Sequence, residues 1–259
     1  MIELDKCYNE SCLDTMARME DGSIDMVLTS PPYDDLRSYD GYSFDVEKTA
    51  ISLFRVVKEG GVVVWVVGDA TVDGSETGTS FRQALTFMDV GFNLHDTMIY
   101  VKQNPMPTAG NRYQQAFEYM FVFSKKTPLI FNPFMIPTKY HGLANMKNRG
   151  RQGTKEYRQV PRTEERKATN VFSYKVGGGM STCDECAFGH PAIFPERLAE
   201  DQILTWSNRE SVVYDPFMGS GTTAKMAIAN GRHWIGSEIS AEYCRIIERR
   251  IGNVHLNLF

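Results

Sequence analysis

Two hydrophobic patterns alternate along the chain. Short apolar runs typical of buried strands are separated by segments whose apolar residues recur every three or four positions, as on one face of a helix. The six consecutive apolar residues at 62–67 favour a strand buried on both faces. These patterns predict strands over 2–8, 24–28, 62–67, 94–101, 116–123, 211–215 and 233–239, and helices over 11–19, 46–58, 81–89, 195–207, 222–229 and 241–251. Alternating strands and helices predict an α/β fold with a mainly parallel sheet.

This periodicity fails between residues 124 and 189. Glycines, prolines and scattered bases dominate there, and a long irregular segment inside a compact enzyme is usually functional or disordered. Residues 125–175 hold 12 Lys or Arg and three acids, a charge of +9, whereas the chain as a whole carries −4. Such a basic block is either a solvated face or a surface for phosphates.

Composition sets broad limits. With 259 residues, of which 42% are hydrophobic and 23% charged, we expect one well-filled core with an insertion. The first residues resemble no signal peptide and no apolar run could cross a bilayer, which predicts a cytoplasmic protein without membrane contact. Five cysteines, an odd number, indicate reduced thiols. Cys183, Cys186 and His190 could suggest zinc, but one such cysteine pair is too few for a structural site, so no metal is expected.

The first motif with chemical content follows the predicted strand 24–28. A doubled proline in Thr29-Ser30-Pro31-Pro32-Tyr33 cannot continue a sheet, because proline fixes φ and lacks an N–H. A rigid turn there would present the Ser30 hydroxyl and the Pro31 carbonyl as hydrogen-bond acceptors beside the Tyr33 ring. Acceptors next to an aromatic face suit a flat amine substrate, although an ordinary proline turn is the alternative.

A second motif lies near the other end of the chain. Residues 212–223 read as a strand ending in Asp215, a turn containing Gly219 and Gly221, and the start of a helix. Glycines let backbone approach a ligand closely, and the helix start offers free N–H groups. Glu238 closes the next strand 17 positions after Gly221, where an acid can accept both hydroxyls of a ribose. The glycines also fit a nicotinamide-dinucleotide site, but Asp215 and Phe217 favour a methionine ammonium and an adenine ring.

Together these motifs resemble those of the amino-group DNA methyltransferases, in the order of their permuted β group. S-P-P-Y at 30–33 is similar to the catalytic signature, D-P-F-x-G-S-G-T-T at 215–223 to the cofactor loop, and H-P-x-x-F-P at 190–195 to the element before that loop. The resemblance implies a Rossmann-like, S-adenosyl-L-methionine-dependent sheet of about seven strands. It divides the chain into a catalytic half at 1–124, a basic target-recognition insertion at 125–189 and a cofactor-binding half at 190–259. In the sheet, the strand at 2–8 would lie next to the strand that ends with Glu238.

The resemblance also implies roles for individual residues. Ser30 and Pro31 would hold the target amine, with Pro32 keeping the turn rigid and Tyr33 stacking on a base flipped out of the duplex. Asp215 would meet the methionine end of the cofactor, Phe217 the adenine and Glu238 the ribose. The remaining implied contacts are a close backbone wall from Gly219 and Gly221, a helix cap or cofactor-carboxylate contact from Thr222 and Thr223, and DNA phosphate contacts from Lys147, Arg149, Arg151, Lys155 and Arg158.

Serine at the catalytic position favours cytosine N4 as the acceptor. Adenine N6, an RNA base, and a non-enzymatic DNA-binding protein on the same fold remain alternatives. The expected partner is double-stranded DNA, bound by a monomer or weak homodimer. The sequence leaves open whether a cognate restriction nuclease accompanies the protein.

Overall fold

The computed structural model describes residues 2–32, 44–108, 110–139, 142–149, 155–161, 163–177, 179–189 and 193–257. These form two compact units, one comprising Met1–Asn132 with Asn170–Phe259 and the other Pro133–Thr169. The strands are β1 (Lys6–Tyr8), β2 (Ile24–Thr29), β3 (Val57–Val67), β4 (Thr71–Val72), β5 (Ser75–Glu76), β6 (Asn93–Lys102), β7 (Phe117–Ser124), β8 (Met135–Pro137), β9 (Leu143–Arg149), β10 (Lys155–Pro161), β11 (Glu165–Lys167), β12 (Val171–Tyr174), β13 (Val212–Asp215) and β14 (His233–Ser237). The helices are α1 (Cys12–Ala17), α2 (Val46–Val56), α3 (Thr79–Val90), α4 (Glu196–Trp206), α5 (Thr222–Ala229) and α6 (Ala241–Asn257), with a short 3₁₀ helix at Glu185–Gly189.

The first unit is built on an eight-stranded sheet in the order β1-β14-β13-β2-β3-β7-β6-β12. Neighbours are parallel except at β7, which runs antiparallel to both β3 and β6. The α/β fold with a mainly parallel sheet is therefore confirmed. The predicted place of the first strand is also confirmed, because β1 pairs in parallel with β14, with Lys6 opposite Ile235.

Alternation along β3 explains how the sheet is buried on both faces. Val62, Val64 and Val66 belong to the hydrophobic cluster that contains α4 and α5 residues. Val63, Trp65 and Val67 belong to the cluster that contains residues of α1, α2 and α3. Successive side chains of a strand point to opposite faces, so one continuous apolar run serves both clusters.

Gly60 and Gly61 fall between the predicted helix at 46–58 and the predicted strand at 62–67, but in the structure they lie inside β3. The helix α2 ends at Val56 and the strand begins at the next residue. Between the pairs Ile24↔Val57 and Met26↔Val62, β2 advances two residues while β3 advances five, so β3 bulges there. Gly60 has φ 77°, a conformation that favours glycine in such a bulge.

The segment predicted to lack regular structure contains short strands. Within the second unit, β9 pairs antiparallel with β10 and β8 with β11. The sequences LANMKNR and KEYRQVP of β9 and β10 are mostly polar, so these strands have no apolar alternation to reveal them. β12 belongs to the main sheet, where it pairs with β6. The insertion predicted at 125–189 is thus wider than the compact unit Pro133–Thr169, and its role in recognition stays a prediction.

Asparagines of the first unit flank the second unit on both sides. The backbone N–H of Asn132 donates to the Thr205 carbonyl at 2.9 Å, and its side chain donates to the Leu204 carbonyl at 3.1 Å, both near the end of α4. The Asn170 side chain donates to a carboxylate oxygen of Asp96 in β6 at 3.0 Å. Both flanking residues are fixed by contacts within the first unit.

Candidate active site

A cavity of about 680 Å³ lies at the edge of the main sheet where β2, β13 and β14 end. Its volume is in the range of small-molecule and cofactor sites. The polar residues that line it continue the alternation of the core, because Asp215 lies two positions beyond buried Val213 and Ser30 two beyond buried Leu28. The sequence thus places apolar residues inside the sheet and polar ones at its edge, on the same face.

The loop between β13 and α5 has the predicted strand, turn and helix. Its glycines adopt left-handed conformations, with φ 53° at Gly219 and φ 82° at Gly221. A Cβ at Gly221 would lie 3.0 Å from Ile247 Cγ1, so this position has little space for a side chain. The Met218 N–H donates to the Ser237 carbonyl at 3.0 Å, which ties the loop to β14.

Asp215 is a carboxylate buried at the end of β13, with 4% of its surface exposed. One oxygen accepts hydrogen bonds from the Thr29 hydroxyl at 2.6 Å and from the Phe217 N–H at 3.0 Å. Burial raises the pKa of Asp215 to about 6, although hydrogen bonds from the Thr29 hydroxyl and the Phe217 amide favour the ionised form. The pKa of this carboxyl is therefore well above the ordinary value of an aspartate.

Glu238 is a second buried carboxylate, one residue beyond β14 and 8% exposed. Its two oxygens accept hydrogen bonds from the backbone N–H groups of Gly219 and Ser240, both at 2.8 Å. Burial raises the pKa of Glu238, and the charge of Asp215 raises it further. The described donors to both carboxylates are neutral, so a cationic ligand in the cavity would relieve two buried negative charges.

The predicted catalytic motif reaches the same cavity. Ser30 is half-buried, Pro31 is buried and Pro32 is half-buried, and all three line the cavity directly after β2. Tyr33 lies outside the described residues. The structure therefore brings the predicted acceptor residues and the predicted cofactor residues to one site.

Phe217 is half-buried between an aromatic cluster and the cavity. Its ring makes edge contacts with Phe44 and Trp65, at centroid distances of 4.8 and 6.1 Å. These contacts fix the ring in one orientation while it still lines the cavity. Such a held ring can cover a flat ligand group.

Of the two alternative roles expected for Thr222 and Thr223, a cap of α5 and a contact with the cofactor carboxylate, the structure contradicts the cap. The capping residue is Gly221, and the helix has no side-chain cap bond. The Thr222 hydroxyl donates to the Phe194 carbonyl, and the Thr223 hydroxyl donates to the Leu28 carbonyl, both at 3.3 Å. Of the two threonines, Thr222 lines the cavity. These hydroxyls brace the loop against its neighbours, because the left-handed glycine already ends the turn.

The sequence identifies the family to which the chain belongs. A family model of the N6/N4 methyltransferases, described as DNA methylase, matches residues 24–249. The chain belongs to this DNA methylase family. It is a DNA amino-methyltransferase, and in this family the methyl donor is S-adenosyl-L-methionine.

Individual relatives agree with this assignment. The orphan methyltransferase M.BamHII of Bacillus amyloliquefaciens is 54% identical over 240 residues, which cover 90% of each chain. Among solved structures, the PvuII DNA methyltransferase, described as cytosine-N4-specific, has a TM-score of 0.69 at 20% identity and covers 98% of this chain and 92% of its own. The complex of M1.HpyAVI with S-adenosylmethionine has a TM-score of 0.63 at 20% identity, covering 95% and 98%. At such identities the solved structures show the shared fold.

A fully buried arginine of this methyltransferase, which the sequence did not reveal as part of the site, holds the predicted cofactor loop. Arg250 donates through Nη1 to the Ser220 carbonyl at 2.8 Å and to the Thr222 hydroxyl at 3.0 Å. Its other nitrogens meet Asp184 at 2.9 Å and Glu196 at 2.7 Å. The available signal was a charged residue three and four positions after Ile247 and Ile246, on the buried face of the predicted helix.

A lysine completes this ionic network. Lys225 of α5 pairs with both Asp184 and Glu196 at 2.7 Å, so two cations share two carboxylates. Burial alone would raise the pKa of Asp184, but hydrogen bonds from Lys225 and Arg250 hold it below its usual value. The network joins the predicted cofactor loop to the first residue of α4 and to Asp184 in the segment before that helix.

Four of the predicted DNA-contacting residues lie on the hairpin of the second unit. Lys147 and Arg149 belong to β9, and Lys155 and Arg158 belong to β10, where Lys155 is paired with Arg149. Their side chains, and the whole of Arg151, lie outside the part of the chain that the structure describes. Their contact with DNA stays a prediction.

Metal and membrane sites are not found in the described ranges. Cys183 is exposed and Cys186 half-buried, both as free thiols, while His190 is outside those ranges. No group of three His, Cys, Asp or Glu residues there could hold a metal ion. Among the described helices, none combines the length and apolar character needed to cross a bilayer.

Proposed function

We propose that this methyltransferase methylates the N4 amine of a cytosine flipped out of duplex DNA. The observation that carries the proposal is the shared cavity, in which Ser30 and Pro31 lie beside the two buried carboxylates Asp215 and Glu238. One group of residues suits a cationic cofactor and the other an amine acceptor. A methyl transfer requires both to meet at one place.

The cofactor end fits S-adenosyl-L-methionine in charge and shape. The cofactor supplies an electrophilic methyl group carried on a sulfonium. Asp215 would hold its ammonium and Glu238 its ribose hydroxyls, while Phe217 would cover the adenine. The tight turn at Gly219 and Gly221 would let the backbone approach closely.

The acceptor end explains how a poorly nucleophilic amine becomes reactive. The lone pair of an exocyclic amine is delocalised into the ring. Acceptors that hold both amine hydrogens can turn the lone pair out of the ring and stabilise the charge that develops on nitrogen. As the bond from nitrogen to the methyl group forms, the bond from sulfur to the methyl group would break to leave a neutral thioether, and the amine would lose one hydrogen as a proton to water. We assign these roles to the Ser30 hydroxyl and the Pro31 carbonyl, with Tyr33 stacking on the base.

Two facts favour cytosine N4 within this family. The catalytic motif begins with serine at position 30, and the solved PvuII enzyme of the same fold is described as cytosine-N4-specific. Adenine N6 is the second candidate, because a neutral hydroxyl acceptor serves either amine. The 54% identical relative is named an orphan, which favours action without a partner nuclease.

Expression in cells that lack DNA methylation tests the proposal. Digestion of their DNA to nucleosides and mass spectrometry should reveal N4-methylcytosine with the wild-type chain and none with Ser30→Ala. Purified Ser30→Ala should lose about 10²–10³-fold in turnover while keeping its cofactor affinity. Ser23→Ala, just before the same strand, is the matched control and should keep full activity. N6-methyladenine in the digest would refute the cytosine assignment. A methylated nucleoside found only in RNA would refute the substrate class.

A further inference from the structure

The cavity extends past the catalytic motif to a pair of charged residues that the proposed cofactor site does not use. Lys102 ends β6 and Glu118 lies at the start of β7, and both line the cavity. Their side chains form an ion pair of 2.6 Å and are 26% and 15% exposed. The pair is thus largely shielded from solvent but faces the space that a ligand would enter.

The order of strands places this pair relative to the other groups. Along the edge of the sheet, Glu238 follows β14, Asp215 ends β13 and Ser30 follows β2, whereas Lys102 and Glu118 belong to β6 and β7 on the far side of β3. One strand separates β2 from β7, so their backbones are about 10 Å apart. The ion pair therefore lies on the side of Ser30 that is opposite to the cofactor carboxylates.

Alternation shows that the side chains share one face. Glu118 lies two positions before buried Met120 and Lys102 two positions after buried Tyr100, and both of these belong to the cluster that contains Leu28. Ser30 follows Leu28 by two positions in the same way. Burial, followed by the negative charge of Glu118, raises the pKa of the neighbouring Tyr100. A buried hydroxyl and an ion pair thus line one end of the cavity.

We propose that the Lys102 ammonium binds the target base, donating a hydrogen bond to the O2 carbonyl of cytosine, while Glu118 positions the ammonium. This inference rests on the proposed function. The Watson–Crick edge of cytosine carries both the O2 acceptor and the N4 amine, whereas the same edge of adenine has no oxygen. A fixed donor at this end would therefore favour cytosine over adenine as well as orient the amine toward Ser30.

A cross-strand ion pair that only supports the sheet is the competing explanation, and the chain offers a matched control for it. Lys126 and Glu59 form a 2.7 Å pair with side chains 70% and 66% exposed, and neither lines the cavity. Lys126→Met removes the same kind of interaction. A purely structural effect would leave the recognition of the base unchanged in both variants.

The test uses the full chain and a duplex that carries the site which the wild type methylates, with S-adenosylhomocysteine present. One duplex keeps the target cytosine, and a second has an abasic residue in its place. In both duplexes the complementary strand is abasic opposite the target position. Lys102→Met should weaken binding to the cytosine duplex about 10–100-fold relative to the abasic duplex. Lys102→Arg should recover part of this difference in binding. Glu118→Gln should raise KM for the cytosine duplex more than it lowers kcat. The control Lys126→Met should match the wild type in both measurements.

The outcomes separate the two proposals. A wild-type chain that makes only N6-methyladenine, or that methylates no DNA, would refute the proposed function. Production of N4-methylcytosine, combined with equal effects of Lys102→Met on both duplexes, would refute the role of the ion pair alone. Should Lys102→Met lose cofactor binding as well, Glu118→Gln carries the comparison, and a wild-type KM for the cytosine duplex in Glu118→Gln would overturn the inference.

Discussion

The Thr29 hydroxyl donates a 2.6 Å hydrogen bond to the Asp215 carboxylate, and both residues are buried. This bond joins β2, which precedes the predicted catalytic motif, to β13, which precedes the predicted cofactor loop. Thr29 directly precedes Ser30 in the chain. The groups proposed to hold the methyl donor and the methyl acceptor are therefore connected through one short contact.

Removal of this hydroxyl should weaken cofactor binding. In Thr29→Val, Asp215 loses a hydrogen bond that favours its ionised form, and we expect a loss of about 1.5 kcal/mol, roughly tenfold in affinity. Calorimetry with S-adenosylmethionine at pH 7.5 measures this. Thr97→Val, on an exposed position of β6, is the control and should bind normally. Equal affinities for all three chains would mean that the bond contributes nothing to the cofactor site.

Cofactor affinity should depend on pH through Asp215. The pKa of this carboxyl is about 6 without ligand, and a cationic ligand prefers the ionised form, so binding should release protons and lower the pKa. Affinity is then high above pH 6 and falls by up to tenfold per unit as the pH drops below 6. Titrations between pH 5 and 7.5 in two buffers of different ionisation enthalpy would detect the released protons.

Asp215→Asn provides the reference for that experiment. The affinity of Asp215→Asn for S-adenosylmethionine should be lower than that of the wild type at pH 7.5. It should also vary less with pH, because only Glu238 of the two carboxyls remains to be titrated. The free protein should show the opposite trend in stability. Since the folded state of the wild type binds a proton more tightly than the unfolded state, its free energy of unfolding should fall as pH rises from about 4 to 6, relative to Asp215→Asn. The same pH profile in both chains would exclude Asp215 as the titrating group.

Arg250 should matter for stability and for the cofactor loop. Arg250→Met leaves Asp184 and Glu196 with one cation instead of two, and breaking a buried ionic network of this kind costs about 3–5 kcal/mol. Urea unfolding measures the free energy of unfolding. Titration with S-adenosylmethionine at low temperature measures the effect of the loop on cofactor affinity. The neighbouring Arg249 is exposed, so Arg249→Met is a control of identical chemistry. Similar losses in both variants would contradict a specific role of the network.

The basic hairpin should determine the salt dependence of DNA binding. Neutralising Arg149, Arg151 and Arg158 together should weaken binding and reduce the slope of log affinity against log salt by about one unit for each lost phosphate contact. Cofactor affinity should stay the same. A triple variant of exposed arginines from the first unit, Arg82, Arg245 and Arg249, should leave the slope as it was. An unaltered slope in the hairpin variant would identify a solvated surface.

The sequence predicted those parts of the fold that carry strong local signals. The run at 62–67, the glycine turn before α5 and the acid after β14 are each encoded in adjacent residues, and the structure has them in the expected places. The strands β9 and β10 were missed because mostly polar strands have no hydrophobic period, and β8 and β11 were missed because three residues are too few to show one. Gly60 and Gly61 were misplaced because a bulge depends on the neighbouring strand, which local sequence does not show.

The missed residues of the site depend on contacts between distant segments. Arg250 meets Asp184 and Glu196 across 66 and 54 positions of the chain. Lys102 and Glu118 become significant only when the order of strands brings them to the edge that Ser30 shares. Motifs identify groups that act together within a few residues, whereas the order of strands decides which further groups join them.

Asn132 and Asn170 have a consequence for how this enzyme can diversify. Both flanking residues are anchored on α4 and β6, so the 37 residues of Pro133–Thr169 begin and end on a frame that does not depend on their own sequence. Insertions, deletions and wholesale exchange between the two anchors need not disturb the methyl-transfer chemistry. If this segment reads the DNA, new target sequences can be acquired by replacing it as a whole, while the first unit of the protein stays constant.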